Sequence, residues 1–111
     1  MNFQDKFTLV ANFYPIEGKE EDLQQIMDDS MAYTLGASGL LQAFSFKPEK
    51  PSKPFVFISV WESKKHWQSF MKSPAAQATH QKDNLKHLFE TALKDTSAEF
   101  YTVRKEWHID H

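Results

Sequence analysis

Histidine and aromatic residues are the side chains in this sequence best suited to chemistry. The chain has five histidines, ten phenylalanines and three tryptophans but no cysteine, which excludes disulfides, thiolate nucleophiles and cysteine-ligated metal sites. The histidines also lack the spacing of metal ligands, because His80 and His87 lie two helical turns apart and His108 and His111 lie near the end of the sequence. What remains is an aromatic-lined space between helices and sheet with a few polar groups facing into it, and histidine is the side chain whose pKa ordinarily suits proton transfer near neutrality.

Composition restricts the classes of partner. The net charge is −2 and Arg104 is the single arginine, so the sequence predicts no nucleic-acid partner. No apolar run approaches the ~20 residues of a membrane span, and the first ten residues do not resemble a secretory signal. We therefore expect a cytoplasmic protein without a membrane partner, folded as a single domain over residues 1–111.

Hydrophobic periodicity predicts seven elements in the order β-α-β-β-α-α-β. They are a strand over Phe7–Tyr14, a helix from Glu20 to Leu35, strands over Leu40–Lys47 and Phe55–Trp61, a short helix capped by Ser63, a helix beginning at Ser73-Pro74, and a strand over Ala98–Trp107. This order predicts an α+β fold with a ferredoxin-like antiparallel sheet.

The third strand is apolar on both faces, which predicts self-association. One row contains Phe55, Phe57 and Trp61, and the other contains Val56, Ile58 and Val60. Helices cover one face of such a sheet, and leaving the valine and isoleucine row in water forfeits about 1.5–3 kcal/mol per side chain. We expect a second copy of the sheet to cover that row in a homodimer, while loops or the C-terminal tail are the alternative cover.

Three short motifs resemble those of a known family. Val60-Trp61-Glu62-Ser63, Ser73-Pro74 and Glu17-Gly18-Lys19-Glu20 are similar to the strand, turn and helix entries of the antibiotic biosynthesis monooxygenase (ABM) domain. The resemblance extends from Leu9 to Trp107 and implies a dimeric α+β barrel. These motifs are more specific for the fold than for the reaction.

One branch of this family oxygenates quinols or anthrones with dioxygen and no cofactor. By this resemblance His80 is the candidate base, and Asn12 is the candidate hydrogen-bond donor to the substrate anion. Trp61, Trp67 and Phe70 are the candidate walls around a small aromatic substrate. The resemblance thus implies a monooxygenase without metal or flavin.

The IsdG-type branch, which binds and degrades heme, is the alternative. Alignment on Trp61-Glu62-Ser63 places His80 at its iron-ligand position, whereas Phe70 replaces its tryptophan. Counting back from Gly18 places Ala11 rather than Asn12 at its asparagine position, and a shift of one residue along a strand reverses the face.

A non-catalytic dimeric binding module is the third hypothesis, because a fold does not determine a function. A closed pocket would favour such a module. An open pocket of a few hundred Å³ with His80 on its wall would favour an enzyme or a carrier.

Overall fold

An antiparallel sheet of four strands organises the described part of the chain, which in this computed structural model comprises residues 2–74, 76 and 90–110. The strands are β1 (Phe7–Pro15), β2 (Leu40–Phe46), β3 (Phe55–Trp61) and β4 (Leu93–Thr102), and the helices are α1 (Glu20–Ala32) and α2 (Lys64–Met71). Residues 74, 76 and 90–92 are also helical. The order and the antiparallel sheet confirm the predicted α+β, ferredoxin-like fold.

The strand order is β2-β3-β1-β4, so β1 lies in the interior of the sheet although it comes first in the chain. In the pairing of β1 with β3, Phe7 lies opposite Trp61 and Phe13 lies opposite Phe55. Residues directly opposite each other in an antiparallel pair project to the same face. The odd-numbered residues of both strands therefore share one face, and the even-numbered residues share the other.

The helices cover the odd-numbered face. Leu23 and Ile26 of α1 are fully buried, and they form a cluster with Phe55 and Ala92. Phe13, Met27 and Leu93 pack around this cluster. Burying each large side chain contributes about 1.5–3 kcal/mol to the free energy of unfolding.

The third strand and the following helix cap match the sequence prediction. β3 spans Phe55–Trp61 as predicted, immediately after Pro54. Ser63 has an extended backbone, and its Oγ accepts a hydrogen bond from the backbone N–H of His66 at 3.2 Å. Ser73 likewise accepts from the backbone N–H of Ala76 at 3.2 Å. Both serines are therefore N-caps.

Two elements differ from their predicted bounds by more than one residue. The last strand begins at Leu93 and ends at Thr102, because β1 pairs along its whole length with this stretch. Helix α1 ends at Ala32 rather than at Leu35, whose side chain is 70% exposed. The backbone N–H of Thr34 bonds to the carbonyl of Met31, which is the tighter i→i−3 closure that often ends a helix.

The even-numbered face carries an apolar surface that the described helices leave uncovered. Val60 is 5% exposed, but Phe44 and Phe46 of β2 are 45% and 47% exposed. The register places Phe44 opposite Ile58 and Phe46 opposite Val56. We call the surface formed by Phe44, Phe46, Val56 and Ile58 the open face.

Residues 103–110 belong to no helix or strand and form a tail whose beginning lies beside the N-terminal segment. The backbone N–H of Asp5 bonds to the carbonyl of Val103 at 2.8 Å, and the N–H of Val103 bonds to the carbonyl of Lys6 at 3.1 Å. Trp107, inside the span predicted as a strand, is 66% exposed in this tail. In the described ranges, no helix combines the length and the apolar character needed to span a membrane.

Candidate active site

A cavity of about 550 Å³ lies between α2 and the segment that follows α1. Among the described residues its lining includes Tyr33, Ala37, Ser38, His66, Ser69 and Phe70. Its volume lies in the range of about 300–1,000 Å³ that is usual for small-molecule sites. With Ser73, the described lining combines aromatic carbon, four hydroxyl groups and one imidazole, which suits a small aromatic molecule with polar substituents.

His66 is the titratable imidazole in the described lining, and Ser63 anchors it. The ring Nδ1 lies 2.7 Å from Ser63 Oγ, and the same oxygen accepts the backbone N–H of His66. A serine oxygen has two lone pairs and one hydrogen, so it can bond to both groups whichever ring nitrogen carries the proton. The helix cap therefore also fixes one edge of the imidazole.

Gly39 lies close to the same imidazole ring. Its φ of +88° belongs to the region that favours glycine, and a Cβ built there would lie 2.5 Å from Cγ and Cδ2 of His66. The carbonyl of Gly39 accepts a hydrogen bond from the backbone N–H of Glu62 at 2.7 Å, which ties this turn to the end of β3. The ring of His66 is thus bonded to Ser63 and packs closely against the backbone of Gly39.

A charged pair lies next to this arrangement. Lys6 Nζ lies 2.8 Å from Glu62 Oε1. The hydrogen bond and the charge of Lys6 lower the pKa of the Glu62 carboxyl, and the charge of His66 adds a smaller effect in the same direction. Glu62 is therefore a carboxylate close enough to interact electrostatically with His66.

Of the predicted aromatic walls, Phe70 lines the cavity and Trp61 supports it from the core. Trp61 is only 2% exposed, and its Nε1 donates to Ser59 Oγ at 3.0 Å. The ring centroids of Trp61 and Phe70 lie 5.5 Å apart. Trp61 is thus a buried residue that fixes the position of Phe70.

Trp67 belongs to a separate aromatic cluster and is not among the described lining residues. Its ring centroid lies 4.9 Å from that of Phe100 and 5.8 Å from that of Phe7. Phe100 remains 50% exposed. The structure therefore does not bring Trp67 together with Phe70 in one wall.

Asn12 lies away from the cavity. It is opposite Val56 in the sheet, on the face that α1 does not cover, and its Nδ2 donates to Ser97 Oγ at 3.3 Å. Its neighbour Ala11 points to the helix-covered face and is 6% exposed. The alternation of side chains along β1 thus separates Asn12 from the predicted aromatic walls.

His80, the predicted base and alternative heme ligand, lies outside the described residues. His66 was not among the predicted site residues, although a serine cap followed three residues later by a histidine is a recognisable pattern for such an anchored ring. Within residues 2–74, 76 and 90–110, no three His, Asp or Glu side chains are close enough to hold a metal ion.

Comparisons with solved structures identify the same fold in other proteins. SnoaB from Streptomyces nogalater, described as a cofactor-independent oxygenase, has a TM-score of 0.73 and 13% identity over 92% of this chain and 96% of its own. PA3566 from Pseudomonas aeruginosa has a TM-score of 0.71 and 16% identity over 92% and 97%. NE2512 from Nitrosomonas europaea, of unknown function, has a TM-score of 0.72 and 15% identity over 99% and 100%. At these identities the similarity establishes the fold alone.

The sequence itself gives the family. No curated protein matches it significantly. Residues 6–82, more than half of the chain, match the antibiotic biosynthesis monooxygenase family. This span includes β1, the turn with Glu62 and Ser63, and helix α2. The chain therefore belongs to the antibiotic biosynthesis monooxygenase family.

Proposed function

We propose that this protein is a monooxygenase that acts on a small aromatic or quinol substrate with dioxygen and without a cofactor. The observation that carries the proposal is the cavity of about 550 Å³ with Phe70 and His66 in its lining, in a chain of this family. The description of SnoaB as a cofactor-independent oxygenase supports the absence of a cofactor. A cavity of this size also favours a small-molecule site over a closed binding module.

The reaction requires a base, a site for the anion and an enclosure. The base removes a phenolic or enolic proton, and the electron-rich anion then transfers an electron to dioxygen. One oxygen atom enters the substrate and the other leaves in water. A quinol and dioxygen thus give a hydroxyquinone and water, and the electrons balance without an external reductant.

The residues around the cavity suit the last two requirements. Phe70, held by Trp61, offers an apolar wall on which a flat ring can pack. Hydroxyl groups of Ser38 and Ser69 are available in the lining to donate hydrogen bonds to an anion. The roles of His80 as base and Asn12 as anion donor remain predictions, and His80→Ala and Asn12→Ala test them in the same assay.

Oxygen uptake is the direct test. Purified protein treated with a chelator is mixed with menadiol, a naphthoquinol or an anthrone, and autoxidation is subtracted. We expect protein-dependent uptake, with one atom of labelled dioxygen in each product molecule. Phe70→Ala should lower kcat/KM about tenfold through lost ring packing. Phe100→Ala is the matched control because it removes a ring of the separate Trp67 cluster. It should leave kcat/KM unchanged.

Two outcomes would contradict the proposal. The absence of protein-dependent uptake with every substrate would leave the binding module as the better hypothesis. A Soret shift with hemin that is lost in His80→Ala, together with ascorbate-driven decay of the band, would favour heme degradation instead.

We also propose that the protein is a homodimer joined through the open face. Phe44 and Phe46 stack on each other at 5.9 Å and remain nearly half exposed beside Val56 and Ile58. Such a surface gains stability when a second, two-fold related copy covers it. Sedimentation at micromolar concentration should give twice the 13.0 kDa chain mass, and a monomer would refute the proposal.

A further inference from the structure

We propose that His66 is the catalytic base of this site, accepting at Nε2 the proton of an aromatic or enolic hydroxyl bound in the cavity beside Phe70. The inference rests on the proposed function. It replaces the predicted base, His80, with a residue whose contacts are described.

The first argument is the orientation of the imidazole. Ser63 occupies Nδ1 at 2.7 Å, and the described hydrogen bonds give Nε2 no partner among residues 2–74, 76 and 90–110. When Nδ1–H donates to Ser63 Oγ, Nε2 carries the lone pair and is ready to accept a proton. The ring nitrogen available to a ligand is thus the one that a base needs.

The second argument is that the ring is held in place before any ligand binds. The bond to Ser63 and the contact with Gly39 restrict the ring from two directions. Fixing a catalytic group in its working geometry removes part of the entropy cost of reaction.

The third argument concerns the charges around the ring. Glu62, at the end of β3, is a carboxylate whose pKa is lowered by Lys6 and, to a smaller degree, by His66. It supplies a counter-charge to an imidazolium at His66. Lys64 and Lys65, which precede His66 on α2, are the positively charged residues beside it in sequence. Tyr33 is the other titratable group in the described lining of the cavity.

The proposed step is a proton transfer. The O–H bond of the ligand breaks, an N–H bond forms at Nε2, and a phenolate beside an imidazolium results. No electron moves in this step, so it can be measured without turnover.

The first experiment uses 4-nitrophenol, whose phenolate absorbs in the visible. At a pH about one unit below the pKa of the free probe, bound probe should be mostly phenolate in the wild type. His66→Gln should bind the probe but leave it mostly protonated. The exposed-tail variant His108→Gln is the control and should behave as the wild type, and His80→Gln tests the alternative base. Far-UV dichroism verifies that each variant is folded.

The second experiment measures turnover of the best quinol in the same variants. Loss of the base should lower kcat about 10²–10⁴-fold in His66→Gln, with a smaller change in KM and loss of the acidic limb of the pH–rate profile. Ser63→Ala retains the imidazole without its anchor and should have an intermediate kcat.

The outcomes separate the two proposals. If wild type does not ionise the probe, or if His66→Gln ionises it equally well, His66 is not the base. If His80→Gln alone loses turnover and ionisation, the base is His80 and the proposed function stands. If the wild type ionises the probe through His66 but consumes no oxygen with any substrate, the proton acceptor is supported and the monooxygenase proposal fails.

Discussion

The three glycines of the chain offer a controlled test of how tightly His66 is held. Gly39 has a φ of +88°, and a Cβ there would meet the ring of His66 at 2.5 Å. Gly18 has a φ of +83° but nothing within 4 Å of its Cβ position, and Gly36 has neither feature. Alanine at each position therefore separates backbone strain from the contact with the ring.

The expected magnitudes follow from these differences. Alanine in the left-handed region costs about 1–2 kcal/mol, partly offset by about 0.4–1 kcal/mol from a less flexible unfolded chain. Gly18→Ala should thus lower the free energy of unfolding by about 1 kcal/mol, and Gly36→Ala, which has no such strain, should raise it by about 0.4–1 kcal/mol. Gly39→Ala should lower it by about 2–4 kcal/mol, because the ring must also move and lose its bond to Ser63.

Urea unfolding followed by far-UV dichroism measures these values, at one protein concentration because self-association would change the apparent stability. A double-mutant cycle with His66→Gly isolates the contact. Alanine at position 66 is insufficient because Cβ of His66 is itself 2.6 Å from the built Cβ. In the His66→Gly background the excess cost of Gly39→Ala over Gly18→Ala should disappear. An equal cost of these two alanine variants with His66 intact would refute the close contact.

Three further perturbations test other parts of the structure. Ser63→Ala should lower the free energy of unfolding by about 0.5–2 kcal/mol in urea melts, while Ser63→Thr retains the cap; equal stability of all three forms would show that the cap contributes nothing. Lys6→Met removes the partner that lowers the pKa of Glu62. Glu62 with a lowered pKa stabilises the fold above its unfolded-state pKa, so the deficit of Lys6→Met should shrink as pH falls from about 7 to about 3; a deficit independent of pH would contradict this. Ile58→Lys should dissociate the proposed dimer in sedimentation runs, whereas Gln25→Lys, at an exposed position of α1 and thus on the opposite side of the sheet, should not.

The sequence predicted those elements whose pattern is set by local burial. β3 was predictable because Phe55–Trp61 is apolar on both faces and follows a proline-rich loop. The start of β4 was not, because Lys94–Thr102 is exposed throughout and therefore lacks an apolar alternation. Its place is determined by pairing with β1, a contact that connects distant parts of the chain.

The candidate site was harder to predict for the same reason. The alternation of residue types identified two rows of side chains on β1 but not which row the helices cover. Whether Asn12 or Ala11 faces the helices therefore became clear only from the core around Phe13 and Phe55. The anchoring of His66 depends on Gly39, which is distant in sequence. Of the two contacts of His66, only the hydrogen bond to Ser63 joins residues that are near each other in sequence.

The interior position of β1 constrains how the chain folds during its synthesis. Phe7–Pro15 leaves the ribosome before the other described strands, yet its partners in the described sheet are β3 and β4. Synthesis proceeds at about 5–20 residues per second. Phe55–Trp61 is therefore made several seconds after β1, and Leu93–Thr102 is made later still. Such long-range pairing also slows folding of the released chain. Translation that pauses before Leu93 leaves one edge of β1 unpaired, and an unpaired strand edge is a template for pairing with another chain.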